Sequence, residues 1–328
     1  MNQIFSHPGQ PQMQVEVILA SRCLSQETRQ DPLRETPPPI YTIRMRYPRI
    51  IHAEVMTHRV FSRNARSSRA VPVKTMLNEI RNTPFVPWHW GANQKGMQAS
   101  EECNASVKDW WMPGNNTVDN VNAWCQAATQ AVAAAESFMD AGYHKQIVNR
   151  LIEPFSWIDT LVTSTEWNNF LWLRDHMAAE PHLQDLASLV REAIIGATMQ
   201  VLEPGEWHLP YVTVDEEHDS MDFVIDNNLK GADFLCRISA ARCARISYKP
   251  FDGDTSYEKE LERYDSLVSS DRVHASPLEH QAKPDLWIKG HEGPYGEWRV
   301  DRWSQSHLHG NLVGWMQYRK TVPGENHH

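Results

Sequence analysis

The stretch THRVFSRNARSSR, residues 57–69, concentrates positive charge in a chain that is acidic overall. It contains no acidic residue, whereas the whole chain carries a net charge of −9. Its basic residues are His58, Arg59, Arg63, Arg66 and Arg69. Guanidinium groups and serine hydroxyls together suit a phosphate or another planar anion. A solvated basic patch is the alternative that composition alone leaves open.

The spacing inside this stretch gives two opposing structural signals. Three of its arginines lie four and then three residues apart, which would place them on one face of a helix. The serines and Asn64 favour leaving the helix, because their side chains compete for backbone hydrogen bonds. We therefore predict a helix over about 49–61 that runs into a polar loop around an anion.

Composition restricts the class of protein. The chain has 328 residues, 41% of them hydrophobic and 22% charged, as in a globular protein. No apolar run reaches membrane-spanning length, and the first residues lack the pattern of a signal peptide. Five cysteines without a CxxC pair favour a reducing cytoplasm and argue against a disulfide framework or a zinc site. The acidic balance argues against bulk nucleic-acid binding.

Periodicity predicts the main elements along the chain. Strands are expected at 15–20, 41–47 and 157–162. Helices are expected at 118–141, 144–151, 166–176, 181–202, 232–246 and 257–269, the third of them beginning with a capping-box pattern at 163–166. Residues 26–40 and 203–228 should be loops, residues 82–120 an irregular excursion, and the order after Pro284 stays open.

Three sequence blocks together resemble one enzyme family. The first reads Thr57-His58-Arg59, then seven residues, then Ser67. The second joins RLIEP at 150–154 to EWNNFLWLR at 166–174, and the third joins SAARCARIS at 239–247 to HASPLEH at 274–280. These blocks resemble the motifs of flavin-dependent thymidylate synthases, whose signature is Arg-His-Arg, seven residues, then Ser.

The order of the blocks differs from the common family arrangement, in which the third block comes first. The chain therefore resembles a circularly permuted, phage-type long form, and permutation is feasible where termini lie close together on a surface. The resemblance covers 41–70, 144–190 and 236–282 of a single domain spanning 1–328. It leaves 82–120 as an insertion and 285–328 as a C-terminal extension.

The resemblance implies an α+β fold with a twisted, mainly antiparallel sheet packed with helices. It implies methylation of C5 of dUMP, with methylenetetrahydrofolate as carbon donor, FAD as hydride carrier and NADPH as reductant. The family forms homotetramers with FAD between subunits. The expected compartment is the cytoplasm, or the host cytoplasm if the protein is phage-encoded.

The resemblance also implies site residues. Those expected to bind the nucleotide are Glu54, Ser67, Ser68, Arg69, Arg150 and Arg174, with Ser67 and Arg174 also catalytic because Arg174 would face the uracil carbonyls. Those expected to contact FAD are His58, Arg59, Asn64 and His280, with Asn169 near flavin or folate. Helix-end charges could instead explain Arg150 and Arg174, and a satisfied core histidine could explain His280.

Departures from the family pattern keep other functions open. Thr57 replaces the first signature arginine, and Glu54 stands where the family usually has glutamine, which exchanges a donor for an acceptor. Other departures are Ala65, Ala70 and Ala178. The substrate could therefore be dCMP or another pyrimidine nucleotide, and the transferred group could be hydroxymethyl. A nucleotide-binding protein without catalysis is the third alternative.

The permutation makes a spatial prediction. Glu279 and His280 should lie close to the start of the strand at Tyr41, in one continuous sheet path. His280 should also share a pocket with His58 and Arg59, across a subunit boundary if the flavin bridges chains.

Overall fold

The computed structural model describes residues 3–24, 36–112, 114–203, 205–227, 230–246, 254–269, 273–288, 290–292, 298–299 and 302–326. The strands are β1 (Ile4–His7), β2 (Gln10–Cys23), β3 (Ile40–Pro48), β4 (Ser62–Ala65), β5 (Val107–Lys108), β6 (Thr117–Val118), β7 (Trp157–Ser164), β8 (Gln200–Leu202), β9 (Ala282–Pro284), β10 (Trp287–Ile288), β11 (His291–Glu292), β12 (Trp298–Arg299), β13 (Arg302–Trp303) and β14 (Trp315–Gln317).

The α-helices are α1 (His52–Val55), α2 (Val73–Asn82), α3 (Asn120–Asp140), α4 (Lys145–Val148), α5 (Asn168–Arg174), α6 (Pro181–Ile195), α7 (Val214–Asp219), α8 (Met221–Asp226), α9 (Gly231–Ala244) and α10 (Tyr257–Val268). Turns of 3₁₀ helix occur at Arg49–Ile51, Asn149–Phe155, Ser276–Glu279, Ser306–Leu308 and Tyr318–Thr321.

One six-stranded sheet organises these elements. Its strand order is β1-β2-β3-β7-β4, and each neighbouring pair is antiparallel. Strand β8 adds to β2 in parallel. Strand β7 is buried along its whole length, and it lies between β3 and β4, which pair with its two edges. The predicted α+β fold with a mainly antiparallel sheet is confirmed.

Helices contribute to three hydrophobic cores of the fold. Helix α6 buries Leu183, Leu186 and Val190 in the main hydrophobic core, which it shares with β3 and β7. Helices α2 and α3 form a second core with the 3₁₀ segment Asn149–Phe155. Helices α9 and α10 form a third, to which the C-terminal segment contributes Tyr318.

Local patterns predicted several elements correctly. Strands β2, β3 and β7 contain the three predicted strands, and α3, α9 and α10 occupy the predicted helical ranges within a few residues. Helix α3 begins after Asp119, whose carboxylate accepts from the backbone N–H of Asn122 at 2.8 Å. It ends before Gly142, whose φ of 87° suits glycine and closes the helix. Helix α6 begins at Pro181, as its sequence indicates.

The helix predicted over 49–61 is wrong. Helical structure stops at Val55, and Ser62–Ala65 forms β4, which pairs with β7. Pairing with a buried strand outweighs the local helical spacing, so the three arginines do not share a helix face.

Other boundaries also differ from the predictions. Helix α6 ends at Ile195, the capping-box residues Thr163 and Ser164 belong to β7, and the predicted 203–228 loop contains α7 and α8. The predicted helix at 144–151 is α4 followed by a 3₁₀ segment. Most of the predicted 26–40 loop lies outside the described residues.

The predicted continuous sheet path from Glu279 and His280 into β3 is also wrong. Strand β9, which follows His280, pairs with β14 in a separate two-stranded sheet. Side-chain contact nevertheless places His280 beside the start of β3, through Thr163 and its partner Thr42. Among the described residues, no helix combines the length and the apolar character needed to cross a membrane.

Candidate functional site

Strand β4 is the centre of the candidate site, because the signature residues lie on it and on the two loops that flank it. The first loop, residues 56–61, precedes β4, and the second loop, residues 66–72, follows it. A four-residue strand spans about 13 Å, so the two loops lie at opposite ends of a short segment. The first loop is closed by Arg63, whose guanidinium donates to the carbonyl oxygens of Met56, His58 and Phe61 at 3.2, 2.8 and 3.2 Å. These bonds make Arg63 a structural residue of the loop.

The first loop holds His58 against Arg174. Arg174, the last residue of α5, donates from Nε to His58 Nε2 at 3.0 Å and from Nη2 to Thr57 Oγ1 at 3.0 Å. His58 is buried, and its ring meets Phe170 edge-on at 4.9 Å. Because Nε2 accepts, we assign the ring proton to Nδ1.

The charge state of His58 agrees with this arrangement. Burial, together with the nearby Arg174 and Arg63 guanidiniums, lowers the pKa of its imidazole to about 4. His58 therefore stays neutral near pH 7 and orients Arg174 as a hydrogen-bond acceptor. A guanidinium carries five N–H groups, so three of those on Arg174 remain for other acceptors, such as the carbonyl oxygens of a ligand.

Glu54 lies next to this group. Its backbone carbonyl accepts from Thr57 Oγ1 at 2.6 Å. Its side-chain Oε2 is buried and has no hydrogen-bond partner among the described residues. An unpaired buried carboxylate oxygen is costly, so this atom fits a donor that a ligand would bring.

The second loop is fixed by two residues of the Lys145–Arg150 segment. Asn149 is fully buried, and its Nδ2 donates to the carbonyl oxygens of Ser68 at 2.6 Å and Val71 at 3.0 Å. Lys145 Nζ donates to the carbonyl oxygen of Ala70 at 2.8 Å. Asn149 and Lys145 were not predicted as site residues, because their only signal in the sequence is their position near Arg150. They hold the segment that contains Arg150 against the loop that contains Ser68 and Arg69, and the phosphate role of these three residues stays a prediction.

Three exposed arginines around these loops fit an anionic ligand. Arg59 and Arg69 form no side-chain hydrogen bond or ion pair with any described residue. Within the part of the chain that the structure describes, Arg150 bonds only through Nε, which donates to the carbonyl oxygen of Gln146 at 3.1 Å. Arg66 is different, because it forms a bidentate pair with Glu79 at 2.7 and 2.8 Å. The free guanidinium groups provide the donors that phosphates of a nucleotide or of FAD require.

The other residues predicted to belong to the site, Ser67, Ser68 and Asn169, differ in burial and in location. Ser67 Oγ accepts from the backbone N–H of Arg69 at 3.3 Å, at the start of the second loop. Ser68 is buried beneath that loop. Asn169 is exposed on α5, the helix that ends at Arg174.

His280 is fully buried and bonded through both ring nitrogens. Its Nε2 lies 2.9 Å from Asn64 Oδ1, and its Nδ1 lies 2.8 Å from Thr163 Oγ1. Burial lowers the pKa of His280 to about 3. Its predicted contact with FAD stays a prediction, and it would require these bonds to rearrange. In this structure His280 holds Asn64, whose Nδ2 also donates to the carbonyl oxygen of Cys243 at 2.9 Å.

The C-terminal segment also reaches the site, which the sequence did not indicate. Gln317 is buried, and its Nε2 donates to Ser62 Oγ at 2.9 Å and to the carbonyl oxygen of Glu279 at 3.1 Å. Arg319 forms an ion pair with the Glu279 carboxylate. Burial raises the pKa of that carboxyl group. The segment is thus part of the support for β4.

Comparisons with known proteins give a limited likeness. The flavin-dependent thymidylate synthase ThyX from Helicobacter pylori, complexed with FAD and dUMP, has 14% sequence identity and a TM-score of 0.32, covering 47% of this chain and 67% of that one. The UMP/dUMP methylase PolB from Streptomyces cacaoi, bound with 5-Br UMP, has 16% identity and a TM-score of 0.37, covering 61% and 93%. No protein-family model and no curated protein matches the sequence.

Proposed function

We propose that this protein binds a pyrimidine nucleotide around β4 and transfers a one-carbon unit to C5 of its base, with dUMP as the first candidate. The observation that carries the proposal is the contact between all three motif blocks. Arg174 bonds to His58 across 116 positions of sequence, and His280 bonds to Asn64 across 216. A solvated basic patch would not require residues so far apart to converge on the signature stretch.

The residues divide into two roles under this proposal. The phosphate would be held by Ser67, Ser68, Arg69 and Arg150. Their donors lie on or beside the second loop, which Asn149 and Lys145 fix in place. Arg174 would face the pyrimidine carbonyls with the N–H groups that His58 and Thr57 leave free. A fixed cation there would stabilise negative charge that develops on the ring.

The residues proposed to contact the cofactors also carry hydrogen-bond donors. Arg59 is an exposed cation beside His58 and suits a phosphate of FAD. Asn64 would contact FAD through its amide, and Asn169 is a further candidate near flavin or folate. When bound, FAD would pass hydride from NADPH to the carbon supplied by methylenetetrahydrofolate, and C5 would exchange its proton for that carbon. The chain's own residues would bind, orient and shield the reactants.

One observation favours a different base. The unpaired Glu54 Oε2 is an acceptor, and an exocyclic amine such as that of dCMP would satisfy it. Transfer to dCMP or another pyrimidine nucleotide, as methyl or hydroxymethyl, is therefore the second candidate. A nucleotide-binding protein without catalysis is the third, and it would share the phosphate residues.

We also propose the permuted, phage-type arrangement and a homotetramer that shares FAD. The contact of His280 with Thr163, and of Thr163 with Thr42 at the start of β3, supports the permuted order. Light scattering of the FAD-loaded protein tests the assembly. A tetramer is expected, and a monomer would count against a shared site.

Ligand binding tests the site itself. Isothermal titration with dUMP and dCMP should give binding that falls at least tenfold in Arg69→Ala, because a phosphate would lose a charge-assisted donor. Arg191→Ala is the matched control, since Arg191 is an exposed arginine paired with Asp175 outside the loops. Equal affinity of both variants for the nucleotides would reject the phosphate assignment. Flavin absorbance of the purified protein separates the first two candidates from the third.

A further inference from the structure

A chain of hydrogen bonds crosses the interior from β2 to α9. Ser21 Oγ lies 2.8 Å from His208 Nδ1, and His208 Nε2 lies 2.8 Å from Thr42 Oγ1. Thr42 Oγ1 lies 2.6 Å from Thr163 Oγ1, which bonds to His280 Nδ1 at 2.8 Å. The chain continues from His280 through Asn64 to the backbone carbonyl of Cys243.

The far end of this chain fixes its direction. A carbonyl oxygen only accepts, so Asn64 must donate to Cys243 through Nδ2 and accept from His280 through Oδ1. His280 therefore carries its proton on Nε2 and accepts on Nδ1. The hydroxyl of Thr163 must then donate to His280, which leaves Thr163 Oγ1 to accept from Thr42.

The donors and acceptors at the other end of the chain, from Thr42 to Ser21, can be assigned in the same way. Because the Thr42 hydroxyl donates to Thr163, its oxygen accepts from His208, which must be protonated on Nε2. His208 Nδ1 then accepts from the Ser21 hydroxyl. Every donor in the chain has one acceptor, and every bond points from Ser21 toward Cys243. A charged histidine would break this pattern, and burial lowers the pKa of both histidines to about 3.

Burial makes the arrangement rigid. Ser21, Thr42, Thr163, His208 and His280 all have a relative exposure of 0%. Water therefore has no access to replace a broken bond, and an unpaired donor would be costly. The chain also cannot reverse, because reversal would require the carbonyl of Cys243 to donate. It is thus suited to fixing positions and unsuited to conducting protons.

We infer that this directed chain positions Asn64 as a hydrogen-bond donor for the candidate site, with Thr163 and His208 as positioning residues. Two groups of the Asn64 amide are committed, Oδ1 to His280 and one N–H to Cys243. One N–H remains, and it suits an acceptor such as a carbonyl oxygen or ring nitrogen of a bound heterocycle. That last step rests on the proposed function, whereas the direction of the chain does not.

His208 was not identified from the sequence, because it lies outside the motif blocks. Its backbone N–H donates to the carbonyl oxygen of Ala282 at 2.7 Å, which holds the 205–213 segment against the chain that follows His280. Two distant segments therefore converge on the β3–β7 register pair of Thr42 and Thr163.

The replacement Thr163→Val tests the direction of the chain. It removes the acceptor of the Thr42 hydroxyl, whose remaining partner in the chain is His208 Nε2. The hydroxyl should then donate to His208, which must move its proton to Nδ1 and donate to Ser21. The Ser21 hydroxyl can turn to Gln200 Oε1, which lies 3.4 Å away. His280 should keep its proton on Nε2, because Asn64 still accepts from it.

The measurement is ¹⁵N NMR of protein labelled in its histidine rings, with His208 and His280 assigned from His208→Gln and His280→Gln. In the wild type and in Thr163→Ser, which keeps the hydroxyl, both rings should be neutral with the proton on Nε2. In Thr163→Val only His208 should change to Nδ1. A change in packing alone would not move a proton between ring nitrogens.

Two outcomes would overturn the inference. A wild-type His280 protonated on Nδ1, or a charged His208 near pH 7, contradicts the direction even if Thr163→Val fails to fold. Flavin titration of the same proteins then tests the ligand step, with affinity expected to fall at least fivefold in Thr163→Val and to stay near wild type in Thr163→Ser. Correct tautomers with no flavin binding by the wild type would reject the proposed function and leave the chain intact.

Discussion

Replacing Arg174 by alanine tests the central catalytic assignment. The structure gives this guanidinium two internal bonds, to His58 and to Thr57, each 3.0 Å long. Both hydrogen bonds lie at a half-exposed position, so we expect Arg174→Ala, which removes them, to lower the free energy of unfolding by roughly 1–2 kcal/mol. Turnover should suffer more, because a preorganised charged donor to a developing anion contributes about 3–4 kcal/mol, or 10²–10³ in kcat.

The assay compares the rate of product formation with flavin content and thermal unfolding. Arg174→Ala should lose at least a hundredfold in kcat, a factor set by the removal of one oxyanion-type donor, while flavin content stays near wild type. Arg191→Ala, on the neighbouring helix α6, is the matched control and should keep wild-type turnover. Unchanged turnover in Arg174→Ala would refute the assignment and make Arg174 a charge at the end of α5.

The other predictions concern the second loop, which Asn149 fixes in place, and the two buried histidines His208 and His280. Asn149→Ala leaves two buried carbonyl oxygens without their donor, so urea unfolding should show a loss of about 2–4 kcal/mol and weaker nucleotide binding. His208 and His280 have pKa values lowered to about 3, so the native protein resists protonation that the unfolded chain accepts below the ordinary value of 6.5. Their contribution to stability is thus intact above that value and is lost as pH falls toward 3. Between about pH 6 and 4, His280→Gln should reduce the slope of unfolding free energy against pH by about 1.4 kcal/mol per pH unit. An unchanged slope would contradict the assigned pKa.

The sequence predicted elements whose signal is local. The alternation in 41–47 reflects a strand with one face in the core, and the alanine-rich run before Gly142 reflects a helix with its own end signals. Both patterns depend on residues near each other in sequence. Strand β4 has no such pattern, because its four residues become a strand only through pairing with β7.

The candidate site shows the same division. The motif blocks identified His58, Arg174 and His280, and the fold brings each into contact with or beside the signature stretch. Asn149 and Gln317 were missed because their importance comes from carbonyl and hydroxyl partners 38 or more residues away. An isolated polar residue gives no indication of which distant carbonyl oxygen it satisfies.

Product analysis tests the central claim most directly. The FAD-loaded protein is incubated with NADPH, methylenetetrahydrofolate and either dUMP or dCMP, and the nucleotides are identified by mass spectrometry. We expect a nucleotide that has gained a methyl or hydroxymethyl group at C5 with one of the two substrates, formed at least a hundredfold more slowly by Arg174→Ala. Recovery of both nucleotides unchanged from a protein that binds FAD would contradict the proposed reaction.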